Sequence, residues 1–197
     1  MRQRACRILA MSLVASVVLA GCGRAANQAR PGKPAAAKFT LRVNAGATEA
    51  YTDKAGNVWQ AEKEYKQGGG FGFVGGLTID RGADMKIAET NDPRIYQTEH
   101  YSMTAFVAEV PNGRYTVRLH FAETYPNIAT DGPRVFDVTI QGKTVLSGFD
   151  VSKTAGAVQK ALVKELKGIE VTDGTLKIEF AAKQQNPEIN GIEIVAE

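Results

Sequence analysis

The sequence predicts an all-β domain with a jelly-roll-like β-sandwich fold, and two patterns lead to that prediction. Most of the periodic segments alternate apolar and polar residues, which is typical of strands with one buried face. Gly, Asn, Asp and Pro residues cluster between these segments, where they favour tight turns. Many short strands separated by such turns are typical of sandwiches and jelly rolls.

The predicted strands and turns follow one another through the second half of the chain. Residues 115–121 show the clearest alternation, with apolar side chains at the odd positions and polar ones at the even positions. The other segments alternate in the same way or are rich in residues that favour strands. The strands are predicted at residues 103–110, 115–121, 135–140, 175–180 and 189–195, with turns at 111–113, 141–143 and 172–174.

Two segments fit this pattern less well. Residues 158–167 are compatible with a short helix, but their position between two turn signals favours a strand. Residues 67–76 contain six glycines, which raise the entropy lost on folding, so we predict a loop there. Phe71 and Phe73 lie inside this loop, where they either fold back on the sheet or line a surface site. A phosphate-binding loop is excluded because this glycine-rich segment lacks the Lys followed by Ser or Thr, and no helix pattern follows it.

The first residues of the chain have the pattern of a secretory signal. Three arginines precede an apolar run over residues 8–20, which is shorter than the roughly 20 residues of a membrane-spanning helix. The small residues before Cys22 are similar to the lipobox of bacterial lipoproteins. We therefore expect residues 1–21 to be a lipoprotein signal peptide and Cys22 to carry the lipid; the alternative is an ordinary signal peptide with a chance cysteine.

This expectation places the protein in the bacterial cell envelope, attached to a membrane through its lipid. By similarity to lipoproteins of cells with two membranes, Gly23 in place of Asp favours the outer membrane or cell surface over the inner membrane. Residues 22–38 comprise the lipidated cysteine and a segment rich in Ala, Pro, Gly and basic residues. A segment without large apolar side chains cannot offset the entropy of ordering, so we predict a disordered tether.

The folded domain is expected to comprise residues 39–197, and its charge differs in sign from that of the whole chain. The chain carries a formal net charge of +3, but seven basic residues and no acidic residue precede residue 39, so the domain carries −4. An acidic domain has no electrostatic footprint for nucleic acid. We therefore expect no nucleic-acid partner.

Four short motifs occur in a definite order along the predicted domain. They are VNAG at residues 43–46, YQTEHY at 96–101, LHFAETY at 119–125 and NPEINGI at 186–192, with RVFDV at 134–138 between the last two. Together the motifs resemble the malectin family of carbohydrate-binding domains, over residues 39–197. The resemblance implies the same β-sandwich fold, sugar binding and no catalysis.

Aromatic residues in loops are the first candidates for a sugar site, because an aromatic ring stacks on the C–H face of a pyranose. In the family pattern the position of Tyr125 carries an aromatic residue that contacts the sugar, often followed by a second one, where this chain has Pro126. Trp59, and Phe73 with Phe71 as its alternate, resemble two further loop aromatics of the family. The alternatives are a tyrosine packed over the sandwich edge and a tryptophan in the core.

Amide side chains are the second group of candidates, because sugar hydroxyl groups need paired donors and acceptors. Gln185 and Asn186 directly precede Pro187, and characterised malectin has an acidic residue at the place of Gln185. Gln185 can bond two hydroxyl groups without charge, whereas Asn186 can equally serve only to form a turn. We therefore predict a carbohydrate site formed by Trp59, Phe73, Tyr125, Gln185 and Asn186.

The remaining polar motifs are interpreted as structural. The YQTEHY motif can build a polar network that fixes strand register, with His100 at a place where the family usually has Arg. His120 lies among the polar positions of its strand, beside Arg118, and is expected on the solvated surface. No nucleophile triad, metal cluster or calcium loop is evident in the sequence. We therefore expect the protein to bind no metal or cofactor and to have no catalytic activity.

The sequence therefore predicts a lipid-anchored carbohydrate-binding module that holds glucan-type or other oligosaccharides, or glycoconjugates, at the cell envelope. The alternative is a β-sandwich that binds an envelope protein and no sugar, because the fold does not determine the function. Pro126 and Gln185, as departures from the family pattern, favour the alternative.

Overall fold

The computed structural model describes residues 38–197, which form fourteen strands, one 3₁₀ helix and two short α-helices. The predicted signal peptide, Cys22 and residues 23–37 of the predicted tether lie outside the described residues. Within residues 38–197 there is no helix of sufficient length and apolarity to cross a membrane. The strands are β1 (Thr40–Asn44), β2 (Tyr51–Thr52), β3 (Val58–Ala61), β4 (Phe71–Val74), β5 (Leu77–Asp80), β6 (Thr98–Tyr101), β7 (Ala105–Glu109), β8 (Gly113–Phe121), β9 (Val135–Ile140), β10 (Lys143–Asp150), β11 (Leu162–Val171), β12 (Thr175–Gln184), β13 (Glu188–Ile189) and β14 (Gly191–Ala196), and the helices are the 3₁₀ helix (Pro93–Tyr96), α1 (Ile128–Asp131) and α2 (Val151–Ala155).

The strands form two main sheets and one small sheet. The six-stranded sheet has the order β11-β8-β14-β1-β3-β2, and the five-stranded sheet has the order β10-β9-β12-β7-β4. The small sheet has the order β13-β6-β5. Among the strand pairs of the described domain, β1 and β3 run parallel and the others run antiparallel. The all-β sandwich predicted from the sequence is confirmed.

The main core lies between the two large sheets, where the alternation predicted from the sequence places the apolar side chains. On β8 the residues Tyr115, Val117, Leu119 and Phe121 are all buried at period two. Strands β9 and β12 contribute buried residues with the same period from the opposing sheet. Burying one face of each sheet against the other removes a large apolar area from water, which is the main driving force for this fold.

The glycine-rich segment differs from the prediction, because β4 is a strand and not part of a loop. It pairs antiparallel with β7, and Phe73 lies opposite Phe106. Gly72 permits the backbone of Glu64 and Tyr65 to pack closely against β4, because a Cβ atom at that position would clash with the backbone nitrogen of Tyr65. The strand over residues 158–167 is confirmed from Leu162 onward as the start of β11.

The sequence motifs contact one another in the folded domain. Gly46 has a φ angle of +79°, and a Cβ atom there would lie 2.5 Å from the carbonyl oxygen of Glu99, so VNAG packs directly on YQTEHY. The side-chain amide of Asn190 donates to the carbonyl of Thr98 at 2.8 Å and accepts from the backbone N–H of Ala122 at 2.5 Å. This network fixes the small sheet on the end of β8, as the structural interpretation of YQTEHY predicts.

His120 is buried, so the expectation that it is a solvated surface residue is wrong. The side of β8 that carries it is covered by β3 and the 3₁₀ helix, and its ring contacts Trp59 edge-on at 5.1 Å. Its Nδ1 atom lies 2.8 Å from the hydroxyl of Tyr96, and its Nε2 atom lies 3.1 Å from a carboxylate oxygen of Glu193. A polar residue is tolerated there because both ring nitrogens have hydrogen-bond partners.

Candidate functional site

A cleft of about 250 Å³ opens beside the small sheet, on the face of β6 opposite His100. Five parts of the chain meet there: β5 with the residue that follows it, β6, the segment after β8, the residue before β9, and the loop between β12 and β13. The cleft is lined by Ile79, Arg81, Glu99, Tyr101, Tyr125, Arg134, Gln185 and Asn186.

The pleat of β6 brings two of these side chains to the cleft. Successive residues of a strand point to opposite faces, so Glu99 and Tyr101 face the cleft while His100 faces away. His100 lies 2.8 Å from the Glu62 carboxylate through Nδ1 and 2.9 Å from the Gly75 carbonyl through Nε2. These contacts hold the reverse face of β6 and thereby support the cleft from behind.

The floor of the cleft is an ion-pair network centred on Glu99. One carboxylate oxygen of Glu99 accepts from Nη1 of Arg134 at 3.0 Å. The other accepts from the hydroxyl of Thr124 at 2.5 Å and from Nη2 of Arg81 at 3.4 Å. Nε of Arg134 lies 3.4 Å from a carboxylate oxygen of Glu123. Two guanidinium groups therefore bracket one buried carboxylate, with a second carboxylate behind them.

A third acidic residue, Glu188, is fully buried beside this network, and neither of its carboxylate oxygens has a hydrogen-bond partner among the described residues. Burial raises the pKa of Glu188 well above its usual range, and the nearby carboxylates of Glu99 and Glu123 raise this pKa further. Arg134 and Arg81 act in the opposite direction but do not outweigh burial. The raised pKa favours the uncharged form of Glu188, in which Glu99 and Glu123 are the two carboxylates that face the two guanidinium groups.

Tyr125 forms one wall of the cleft, as the sequence predicted for a loop aromatic. Its backbone N–H donates to Glu123 at 2.9 Å, which fixes the turn that follows β8. Its hydroxyl group donates to a carboxylate oxygen of Asp131 at 2.6 Å, and the guanidinium group of Arg134 lies 5.4 Å from its ring centroid. The side chain is partly exposed, so its ring remains accessible from the cleft.

Gln185 and Asn186 form the opposite rim. Gln185 has a φ angle of +55°, and its side-chain amide donates to the carbonyls of Asp131 at 2.8 Å and of Gly132. These two hydrogen bonds tie the β12–β13 loop to the segment that holds Tyr125. Asn186 is exposed at the rim. The structure therefore brings Tyr125, Gln185 and Asn186 into one cleft.

Trp59 and Phe73 do not line this cleft, and the expectation that their rings are exposed is wrong. Trp59 is 2% exposed, and its indole N–H donates to Asp53 at 3.0 Å. Phe73 is 1% exposed and stacks on the His100 ring at 4.0 Å. Both residues lie on strands, β3 and β4, whose faces are covered by neighbouring elements. A buried ring has no free face on which a ligand can stack.

Five residues of the cleft were not predicted from the sequence as site residues, namely Ile79, Arg81, Glu99, Tyr101 and Arg134. Tyr101 gave a usable signal, because it is an aromatic residue two positions after Glu99 on a strand and therefore lies on the same face. Ile79, Arg81 and Arg134 gave none, because only the tertiary contacts place these strand ends beside Tyr125. Within residues 38–197 no group of three His, Cys, Asp or Glu side chains is arranged to hold a metal ion.

Comparison with known protein families identifies the domain. The family model described as "Malectin domain" matches residues 39–194. The chain belongs to the malectin-domain family. This result agrees with the resemblance of the motifs, and the malectin domain coincides with the described sandwich.

Several known proteins, two malectins among them, are similar to this chain in sequence. Human malectin is 30% identical over 138 residues, which cover 61% of this chain and 47% of malectin. Malectin-B of Xenopus laevis is 28% identical over 137 residues, which cover 61% and 49% of the two chains. A probable leucine-rich-repeat receptor-like serine/threonine-protein kinase of Arabidopsis thaliana is 30% identical over 112 residues, covering 53% of this chain and 10% of the kinase. The chain thus spans about half the length of the two malectins and a tenth of the kinase.

Solved structures share the fold of this malectin domain. A β-glucuronidase of Bacteroides uniformis has a TM-score of 0.72 at 24% identity, over 81% of this chain and 18% of that chain. The extracellular domain of ANXUR2 from Arabidopsis thaliana has a TM-score of 0.65 at 18% identity, over 81% of this chain and 48% of that chain. At these identities the similarity establishes a common fold.

Proposed function

We propose that the malectin domain binds an oligosaccharide in the cleft beside Tyr125. One observation carries the proposal: the cleft of a malectin-family domain joins the partly exposed ring of Tyr125 to the amides of Gln185 and Asn186. An aromatic wall beside convergent polar groups is the arrangement that sugar recognition requires, since the ring covers C–H groups while the polar groups bond hydroxyls.

The remaining lining residues suit the same ligand. The ring of Tyr101 and the side chain of Ile79 add apolar surface, and the guanidinium groups of Arg81 and Arg134 add hydrogen-bond donors. A volume of about 250 Å³ lies slightly below the usual range for ligand pockets. We therefore expect the cleft to hold a terminal sugar or a short segment of a glycan.

The buried acids give the cleft no glycosidase machinery. Hydrolysis requires a pair of carboxyl groups that reach the glycosidic oxygen and the anomeric carbon. Glu99 and Glu123 have side chains that are each 1% exposed and are paired with Arg134, while Glu188 is fully buried. We therefore assign the domain binding without catalysis.

The proposal for the whole chain adds a membrane anchor. We propose that lipid on Cys22 attaches the domain to the bacterial cell envelope, at the outer membrane or cell surface, with a preceding signal peptide and a flexible tether. Many copies on one membrane would raise the avidity of a weak module. Replacing Cys22 by Ala is expected to move the protein from the membrane fraction to the supernatant. If the variant remains in the membrane fraction, the anchor lies elsewhere.

Glycan-array binding followed by calorimetric titration tests the carbohydrate site. We expect the full-length protein to bind at least one oligosaccharide class and Tyr125→Ala to bind it at least tenfold more weakly, since tenfold corresponds to about 1.4 kcal/mol. Tyr65→Ala is the matched control, because Tyr65 is also partly exposed and its hydroxyl also binds a carboxylate, that of Glu109 at 3.2 Å, outside the cleft.

Two results would contradict the proposal. Absence of binding to every glycan would remove the sugar ligand, and a protein captured from envelope extract that persists in excess free oligosaccharide would then support a protein-binding role. Equal loss of affinity in Tyr125→Ala and Tyr65→Ala would show that the sugar site lies outside this cleft.

A further inference from the structure

We propose that the cleft selects an acidic saccharide, with the carboxylate of a uronic acid bound by Arg81 and Arg134. The inference rests on the proposed function, since it assigns a chemical class to the ligand of the same cleft. The inference follows from the hydrogen bonds that the lining residues already make within the protein, because these bonds determine which donors and acceptors remain for a ligand.

The carboxylate of Glu99, on the floor of the cleft, already accepts three hydrogen bonds from the protein itself. Both carboxylate oxygens of Glu99 accept hydrogen bonds, from Arg134 on one side and from Thr124 and Arg81 on the other. The side chain is 1% exposed. A ligand therefore finds no free carboxylate to which its hydroxyl groups could donate.

The neutral donors of the two walls are occupied as well. The hydroxyl proton of Tyr125 is directed to Asp131, and the amide N–H groups of Gln185 are directed to the carbonyls of Asp131 and Gly132. Toward a ligand, Tyr125 and Gln185 therefore present a ring and oxygen acceptors. The hydroxyl of Tyr101 and the amide of Asn186 make no hydrogen bond with another described residue, but they are neutral groups.

The two guanidinium groups retain charged N–H donors. Arg134 uses Nη1 for Glu99 and Nε for Glu123, and Arg81 uses Nη2 for Glu99 and Nε for Thr124. Nη2 of Arg134 and Nη1 of Arg81 make no hydrogen bond within residues 38–197. An Arg guanidinium group has five N–H donors and no acceptor, so the remaining donors require acceptors from a ligand or from water.

The two guanidinium groups are more exposed to the cleft than the carboxylates with which they pair. The side chains of Arg81 and Arg134 are 14% and 7% exposed, whereas those of Glu99 and Glu123 are each 1% exposed. Burial raises the pKa of Glu188, which favours the uncharged form of that side chain. Asp131 is an exposed acid near the rim, but its two oxygens accept from Tyr125 and Thr130, and it does not line the cleft. An anion in the cleft therefore meets guanidinium groups first.

A sugar that carries a carboxylate matches both features of the cleft, namely its remaining guanidinium donors and its aromatic surface. The planar guanidinium fork matches the two oxygens of a carboxylate, and such charge-assisted hydrogen bonds are about twice as strong as neutral ones. The rings of Tyr125 and Tyr101 contribute a stacking surface that a free inorganic anion would not use. A uronic acid at the end of a glycan, or in a short segment of one, combines the two features.

A glycan array built from matched pairs tests the inference on the full-length protein. Each pair consists of an oligouronate and its methyl ester, in which a methyl group on each carboxyl removes the charge. Neutral gluco-oligosaccharides and sulfated oligosaccharides complete the array. We expect at least one oligouronate to bind tenfold or more tightly than its ester in titration. We also expect its affinity to fall as NaCl rises from about 0.05 to 0.5 M, because salt screens the charges.

Arg81→Gln is expected to reduce the acid-to-ester preference to less than threefold, while Arg81→Lys retains part of it by keeping the positive charge. Arg94→Gln is the matched control, because Arg94 also pairs with a carboxylate, that of Asp80 at 2.6 Å, but lies outside the cleft. We expect Arg94→Gln to keep the full preference. Fluorescence of Trp59, the single tryptophan, reports whether each variant is folded.

The outcomes separate this inference from the proposed function. Equal or tighter binding of esters and neutral glycans overturns the acidic ligand but leaves a carbohydrate-binding cleft. A preference for sulfated over carboxylated sugars also overturns the assignment to uronic acids. Absence of binding to every member of the array removes the carbohydrate function and the inference together. The comparison of acid with ester in the unaltered protein remains decisive even if Arg81→Gln fails to fold.

Discussion

Replacing Glu188 by Gln should stabilise the malectin domain increasingly as the pH rises. Glu188 is fully buried and has no hydrogen-bond partner among residues 38–197, and burial holds its pKa well above the usual value of 4.5. Above that pH the unfolded chain releases the proton while the folded domain keeps it. The stability associated with the protonated side chain is therefore complete below about pH 4.5 and is lost as the pH rises toward the folded-state pKa.

The magnitude follows from proton linkage. While the folded domain binds one proton more than the unfolded chain, the free energy of unfolding falls by about 1.4 kcal/mol for each pH unit. Gln has nearly the shape of Glu but cannot ionise, so the variant lacks this slope. The stability of Glu188→Gln relative to the unaltered domain should therefore grow as the pH rises above 5, by up to about 1.4 kcal/mol for each pH unit over which the folded domain keeps its proton.

Urea denaturation at pH 5, 6 and 7, followed through Trp59 fluorescence, measures this difference. The comparison uses the variant and the unaltered protein together, because other buried acids change the stability with opposite slopes. Burial outweighs Arg134 and raises the pKa of Glu123. Burial also raises the pKa of Glu193, but His120 and Arg42 together outweigh it and lower that pKa. Glu170→Gln, which removes an exposed carboxylate on β11, is the control. A stability difference that stays constant from pH 5 to pH 7 would refute a protonated Glu188.

Two further substitutions test the fold and the corrected position of the aromatic residues. Gly46→Ala should lower the free energy of unfolding by about 2–4 kcal/mol in urea denaturation, since its Cβ atom would meet Glu99 at a positive φ angle. Gly56→Ala, which has a similar φ angle but open space, should cost at least 1 kcal/mol less. Trp59→Phe removes the hydrogen bond to Asp53 and should lower stability by about 1–3 kcal/mol in thermal unfolding, yet leave glycan affinity unchanged. Equal costs for the two glycines, or a loss of glycan affinity in Trp59→Phe, would contradict these assignments.

Most of the sandwich could be predicted from local patterns, because the pleat of a strand makes side-chain direction repeat every two residues. The alternation in residues 115–121 therefore identifies both β8 and its buried face. The glycine-rich segment could not be interpreted in this way. Its glycines suggest a loop, but pairing with β7 and the close approach of Tyr65 to Gly72 make residues 71–74 a strand. Tertiary pairing overrides local propensity there.

The residues of the candidate site could be predicted only in part, because local patterns indicate loops but do not show what packs over them. Tyr125 follows the end of a clearly alternating strand, and Gln185 and Asn186 precede a proline, so all three were expected in loops. Trp59 and Phe73 also belong to segments that favour turns or loops, yet layers from distant parts of the chain cover them. Exposure of an aromatic residue depends on what packs above it, and a sequence window contains no information about that neighbour.

By itself the sequence determined the β-sandwich, the malectin family and Tyr125 as a binding candidate, because strand periodicity and short motifs are local properties of the chain. Only the tertiary structure decided that Arg81 and Arg134 share one carboxylate, that Tyr101 faces Tyr125 across the same cleft, and that Glu188 is buried beside them. These residues lie far apart in sequence. Their charges and pKa values depend on distance and burial, which exist only once the sheets have packed.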